Sequence, residues 1–326
     1  MNHKDRSDEN NSQGRESRDL FTRTYTINGL GTLGGNDSRA RAINNTGHVV
    51  GESVTSQGSR HAFIWADGRM LDLGTLGGSN STARRLNEDG QVVGQADLTG
   101  GTNAHAFIWS AEHAMLDLGT LPGGENSSAS SINNNGHVVG YSETSSHSTL
   151  AFIWNEREGL TKLDRRGSIA NDINDSIQIV GWVSSESQIQ KPDAAVWQNG
   201  QLTRIGFGDD RISADALAIN ERGQVVGTEF LSAFLWQNGA KVGIRSFSTP
   251  LGINNEGVVV GEYRPTVGET NAFIWKDNVF RNLQELLPSN SGWKLLSATD
   301  INDREYICGY GLFDRQTHAF VMYPQS

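Results

Sequence analysis

One pattern recurs seven times along this chain, and it limits the folds open to it more than any other feature. Three copies are near duplicates. The first runs LGTLGGNDSRARAINNTGHVVGES and HAFIWADGRMLDLG from Leu30, and the others begin at Gly74 and Gly119. An Ile or Leu followed by Asn stands at Ile43-Asn44, Leu86-Asn87, Ile132-Asn133, Ile173-Asn174, Ile219-Asn220, Ile253-Asn254 and Ile301-Asn302. A Gly closes an apolar pair at Gly51, Gly94, Gly140, Gly181, Gly227, Gly261 and Gly309. An aromatic run ends at Trp65, Trp109, Trp154, Trp197, Trp236 and Trp275, with Met322 in the seventh place. The period is roughly 40–45 residues, the length of one four-stranded propeller blade.

Within a copy the pattern reads as four short strands. The first ends at Ala40–Ile43, and Asn45-Thr46-Gly47 marks a tight turn to the second, His48–Glu52. A longer loop leads to His61–Trp65, and Asp67-Gly68 turns the chain into Met70–Leu73. No 3.6-residue period is sustained, so helices are expected to be nearly absent. The 38 glycines and an apolar share of 36% suit short strands and tight turns rather than thick helical layers. The seventh copy stops after its third strand, while Tyr25–Gly31 precedes the first copy as an unpaired strand. Joining the two closes a ring and leaves only short protected edges. The expectation is an all-β, seven-bladed β-propeller with four antiparallel strands per blade, its last blade completed by the N-terminal strand. It occupies residues 20–326 as one domain, behind a disordered polar tail at residues 1–19.

The motifs INxxGxVVG, HAFIW and DLGTLGG, with His-Ala-Phe at 61–63, 105–107 and 318–320, resemble the bacterial HAF-repeat family. The likeness spans about residues 25–324. It implies a repeat-built propeller and no common activity. Many relatives look secreted or surface-attached. Copies four to six depart from the motif, with Asp193, Ser232 and Asn271 in place of the leading His.

Charge and composition exclude several classes. A net charge of −10 leaves no basic face for phosphate-led nucleic-acid binding. The single Cys308 excludes an intrachain disulfide framework. No apolar run reaches membrane-span length, and Met1–Asp19 carries no apolar leader core. The chain thus reads as a soluble, cytoplasmic monomer, or as an extracellular one whose leader has been removed. Nucleophile-elbow, zinc-hydrolase, P-loop, cysteine-cluster and EF-hand signatures are all missing, so neither a metal nor a cofactor is expected. The Gly-Gly pairs precede no helix and read as turn residues.

Candidate site residues come from positions that break the repeat near the first strand of each blade, beside the central channel and on the face that carries the longer loops. Asp172, Asp215, Asp300, Arg41 and Arg84 are the candidates for acid–base work. Arg39, Arg85, Arg165, Arg166, Asp210, Arg211 and Trp182, read as opening the loop after the second strand of copy four, are the candidates for ligand binding. The same charges could equally be solvated or paired between blades. The shortened loop Thr228–Ser232 of copy five could open a groove or be neutral drift. His61, His105 and His318 sit in separate blades, so a structural bond to a neighbouring blade's backbone is preferred to metal ligation. Two functions follow: a module binding a small molecule or carbohydrate at the loop face, or an enzyme using metal-independent acid–base chemistry as a lyase, hydrolase or cyclase.

Overall fold

The structure, a computed structural model, describes residues 20–185, 191–206 and 212–325. The expected tail at residues 1–19, and the candidates Asp210 and Arg211, lie outside the described residues. Seven four-stranded antiparallel sheets are present. In blade one the strands, here A to D, are Gly34–Ile43, Val49–Thr55, Arg60–Ala66 and Arg69–Asp72. The seven A strands touch one another in a closed cycle and so surround the axis. The named helical element is one 3-10 turn, Leu283–Leu286.

The ring closes as the sequence predicts. Tyr25–Gly29 pairs antiparallel with Gln316–Pro324, in register from Tyr25 opposite Pro324 to Gly29 opposite Phe320. Burial reinforces the seam: Leu20, Tyr25 and Leu30 are all inside, with Leu20 and Tyr25 packed among Phe320, Met322 and Leu295.

Two side-chain rings explain why Asn follows Ile in every copy. The buried Nδ2 groups of Asn44, Asn87, Asn133, Asn174, Asn220, Asn254 and Asn302 each donate to the carbonyl of the corresponding Asn in the next blade. Asn302 returns to Asn44, and the seven bonds span 2.9–3.3 Å. Their Oδ1 atoms accept from backbone N–H groups of the turn that follows, as Asn44 Oδ1 does from His48 N at 2.9 Å. A second ring lies one residue on. There the backbone N–H of Asn45, Glu88, Asn134, Asp175, Glu221, Asn255 and Asp303 donates to the next blade's side chain at 2.8–3.1 Å. A third link uses the Ala of HAF: its N–H donates to the Ser that leads strand A of the following blade, as Ala62 does to Ser81 and Ala319 to Ser38. The repeat motif is therefore a blade-to-blade bonding code as well as a folding pattern.

The Gly of the Val-Val-Gly run has its own reason. Strand A carries a β-bulge in each blade, between Ala40 and Ala42 in the first. The bulge pushes a carbonyl against strand B, so a Cβ at Gly51 would sit 2.0 Å from the oxygen of Arg39. Only Gly fits.

Three sequence readings need correction. Strand A of blade one starts at Gly34 rather than Ala40, because Gly34 pairs with Thr55. The loop between strands B and C shrinks accordingly to residues 56–59. Trp182 lies inside strand B, Ile179–Ser184, opposite Ile169 and Ala194, and opens no loop. The loop of blade five is indeed reduced to Phe230-Leu231, but blade seven has an equally short turn at Asp314-Arg315.

Candidate functional site

The bulge sets the site's geometry. Two consecutive strand A residues oppose one residue of strand B, and the extra residue is re-aimed. The bulge residue is Arg41 in blade one, Arg84 in blade two and Asn171 in blade four. The residue after it is Arg85 in blade two, Asp172 in blade four and Asp300 in blade seven.

Arg85 reaches across the axis to both carboxylates. One terminal nitrogen is 2.9 Å from Asp300 Oδ2 and the other 3.2 Å from Asp172 Oδ2. These residues belong to blades that are not neighbours, so their meeting point is the channel itself. Each carboxylate is further bonded. Asp172 accepts from Ser131 Oγ at 2.6 Å and Ile219 N at 3.0 Å; Asp300 accepts from Ile43 N at 3.1 Å and Ile301 N at 3.0 Å. Gly252 makes room for this group, since a Cβ there would come within 2.8 Å of Asp300 Oδ1. Burial alone would lower the pKa of Arg85, but the two carboxylates outweigh it and hold the guanidinium above its ordinary value. Burial raises the pKa of Asp300, and Arg85 opposes that shift. The triad is a cross-channel clamp held by charge pairing and by further hydrogen bonds to each carboxylate.

Above it, toward the loop face, the arginines differ. Arg41 pairs with Glu52 at 3.1 Å, and Arg60 with Asp37 at 2.8 Å. Arg39 lies 3.6 Å from Asp37 and stacks over the Tyr310 ring at 5.1 Å. The buried Nε atoms of Arg39 and Arg41 donate to nothing. Arg84 has neither hydrogen bond nor ion pair among the described residues. Its surroundings lower its pKa, chiefly by desolvation, with Arg41 adding repulsion and Tyr141 and Glu52 opposing. Four arginines (39, 41, 60 and 84) thus face two carboxylates (37 and 52), a positive arc on a chain of net charge −10.

On the opposite side, Asp215 of blade five accepts from Asn171 Nδ2 at 2.7 Å. Burial pushes its pKa up to about 7, the Asn171 bond acting against the shift. The fold therefore binds this proton more tightly than the unfolded chain does. The stability it contributes is present below the ordinary carboxylate value and is lost as pH rises through about 7. Carboxyl NMR should show one aspartate titrating near neutrality that disappears in Asp215→Asn, and that variant should gain stability relative to wild type above about pH 7. An ordinary acidic titration of Asp215 would refute this.

Other candidates stay local. Arg165 and Arg166 wrap the Asp164 carboxylate in the loop before strand A of blade four, with backbone contacts of 2.6 and 3.0 Å. Burial works to raise the Asp164 pKa, but the Arg166 side chain and the two backbone bonds lower it below the usual carboxylate value. Trp182 is half-buried. The HAF histidines do not bond a neighbouring blade's backbone. His61 and His105 instead bond the Asp of DLG in their own blade, Asp72 and Asp117, each at 2.9 Å. The shared recurrence of HAF and DLG was the signal for that pair. No group of metal-ligating side chains occurs among the described residues, and no described helix is long and apolar enough to cross a membrane.

No family model matches the chain, and no curated protein matches it. Solved β-propellers do match in shape. The β-propeller domain of the Trilobed protease from Pyrococcus furiosus has a TM-score of 0.57 at 11% identity, covering 88% of this chain and 95% of that one. The acylaminoacyl peptidase of Pyrococcus horikoshii gives 0.54 at 11%, covering 87% of this chain and 53% of the peptidase. YCF48 bound to D1 peptide gives 0.51 at 10%, with 93% and 97% covered. At these identities the likeness establishes the propeller fold and nothing more specific.

Proposed function

We propose that this HAF-repeat-like propeller is a monomeric binding protein. Its ligand is a small molecule or carbohydrate bearing an acidic group, held at the loop-side mouth of the channel. The observation that carries the reading is Arg84: an exposed arginine beside Arg41 that makes neither a hydrogen bond nor an ion pair among the described residues. A ligand carboxylate or phosphate would pair with it, beside the partly exposed side chains of Arg39 and Arg41. The Arg85 clamp beneath gives the site a rigid floor. A second reading, acid–base catalysis in the same mouth, draws on Asp215, whose pKa near 7 suits proton transfer at neutral pH.

Thermal unfolding in a panel of citrate, phosphate, glucuronate and chloride tests the proposal. One or more of the multivalent or organic anions should raise the midpoint saturably, by mass action, and the rise should vanish in Arg84→Ala. A rise equal for all anions, or one that survives Arg84→Ala, would overturn it.

A further inference from the structure

Blade seven keeps the leading His of strand C without its partner on strand D. At the position two residues before the strand C Phe, blades one, two and four match the leading side chain to strand D. His61 pairs with Asp72 and His105 with Asp117, while in blade four the polarity is reversed and Arg204 meets Asp193 at 3.0 Å. Blade seven keeps the His, at 318, but its strand D is the N-terminal strand. The residue opposite Phe320 there is Gly29, where blades one and two place Asp72 and Asp117 opposite Phe63 and Phe107. The His318 imidazole consequently hydrogen-bonds to no described residue.

His318 and Gly29 line a cleft of about 880 Å³ between blade seven and blade one. That volume is within the range of small-molecule sites. Trp293 enters it, stacked on Phe313 at 5.1 Å with 28° between the rings, and Trp65 of blade one forms the facing wall. Phe313 is 43% exposed. The polar groups present are His318, Asn28, Ser291 and the main chain of Gly29–Gly31. None is a carboxylate, guanidinium or ammonium.

We infer that this cleft is a second binding site, separate from the channel mouth, that takes a neutral saccharide. An open cleft with aromatic walls offers flat apolar faces to the C–H face of a pyranose ring. Imidazole, amide and hydroxyl groups supply donors and acceptors for ring hydroxyls. The lack of any formal charge in the lining argues against an ionic ligand. The polar rim argues against a purely apolar one, which would leave those groups unpaired.

The test uses the full chain and three probes, the methyl α-pyranosides of glucose, galactose and mannose, read by saturation-transfer NMR and tryptophan fluorescence. At least one should bind saturably at or below about 10 mM. His318→Ala should weaken it at least about tenfold. Gly29→Asp should do the same, by placing a carboxylate opposite Phe320 as in blades one and two and by bringing a Cβ within 3.2 Å of Trp293. Both variants should retain the wild-type circular dichroism, and Arg84→Ala should leave pyranoside binding unchanged. If none of the three binds, or if binding is indifferent to both variants, the inference fails. It also fails if only an apolar probe such as 1-naphthol binds. None of these results bears on anion binding at the channel mouth.

Discussion

Arg85→Ala should lower the stability of the ring by about 3–5 kcal/mol, read as a drop in the urea midpoint. The substitution removes the one cation between Asp172 and Asp300 and leaves two enclosed carboxylates without a counter-charge. The effect should depend on pH in a defined direction. Burial already raises the Asp300 pKa with Arg85 in place, and removing the guanidinium raises it further. The folded state then holds the proton more tightly than the unfolded chain, so stability falls as pH rises through the folded value. The deficit should therefore be smaller near about pH 5 than near about pH 8. Arg85→Met combined with Asp172→Asn and Asp300→Asn should recover much of the loss, because no charge is then stranded. A single substitution costing under about 1 kcal/mol would mean that the clamp is solvated and the channel open at that level.

Asn302→Ala should cost about 2–4 kcal/mol. Its Nδ2 donates to Asn44 O at 2.9 Å across the seam. Its Oδ1 accepts from Arg304 N at 3.0 Å and Tyr306 N at 2.9 Å. Alanine leaves a buried carbonyl and two turn amides unmet. Asn174→Ala removes the same kinds of bond away from the seam and should cost a similar amount in equilibrium unfolding. Hydrogen exchange should separate the two: the amides of Tyr25–Gly29 should lose protection in the Asn302 variant and not in the Asn174 variant. Equal protection in both would mean that the seam is no weaker than any other blade junction.

The sequence announced the architecture because a propeller repeats its constraints. The Ile-Asn, Val-Val-Gly and HAFIW positions recur seven-fold, and the unpaired strand at each end has only one partner left. What those residues do was less legible. The Asn ring joins residues 34 to 48 positions apart, and its seventh bond joins the ends, so no local pattern reveals it. Arg85, Asp172 and Asp300 stood out as charges beside strand A. Their convergence depends on the bulge that re-aims them and on the ring's size, neither of which spacing alone encodes. Arg84 and Arg85 were indistinguishable in sequence, yet Arg85 is doubly paired and Arg84 has no hydrogen bond or ion pair among the described residues. The His61–Asp72 pair could have been found, because HAF and DLG recur together and are charge-complementary. The blade-seven cleft was hidden because Gly29 must first be placed opposite Phe320 before its missing carboxylate becomes visible.

Anomalous diffraction at the selenium edge, from wild-type crystals soaked in selenate, tests the channel-mouth site most directly. Selenate is a tetrahedral oxyanion that exposed arginine side chains can hold and that reports its own position. The expected result is a peak beside Arg84, within hydrogen-bonding reach of Arg39 or Arg41, and no peak at Arg85. Selenate bound elsewhere on the protein while the surroundings of Arg84 stay empty would contradict it.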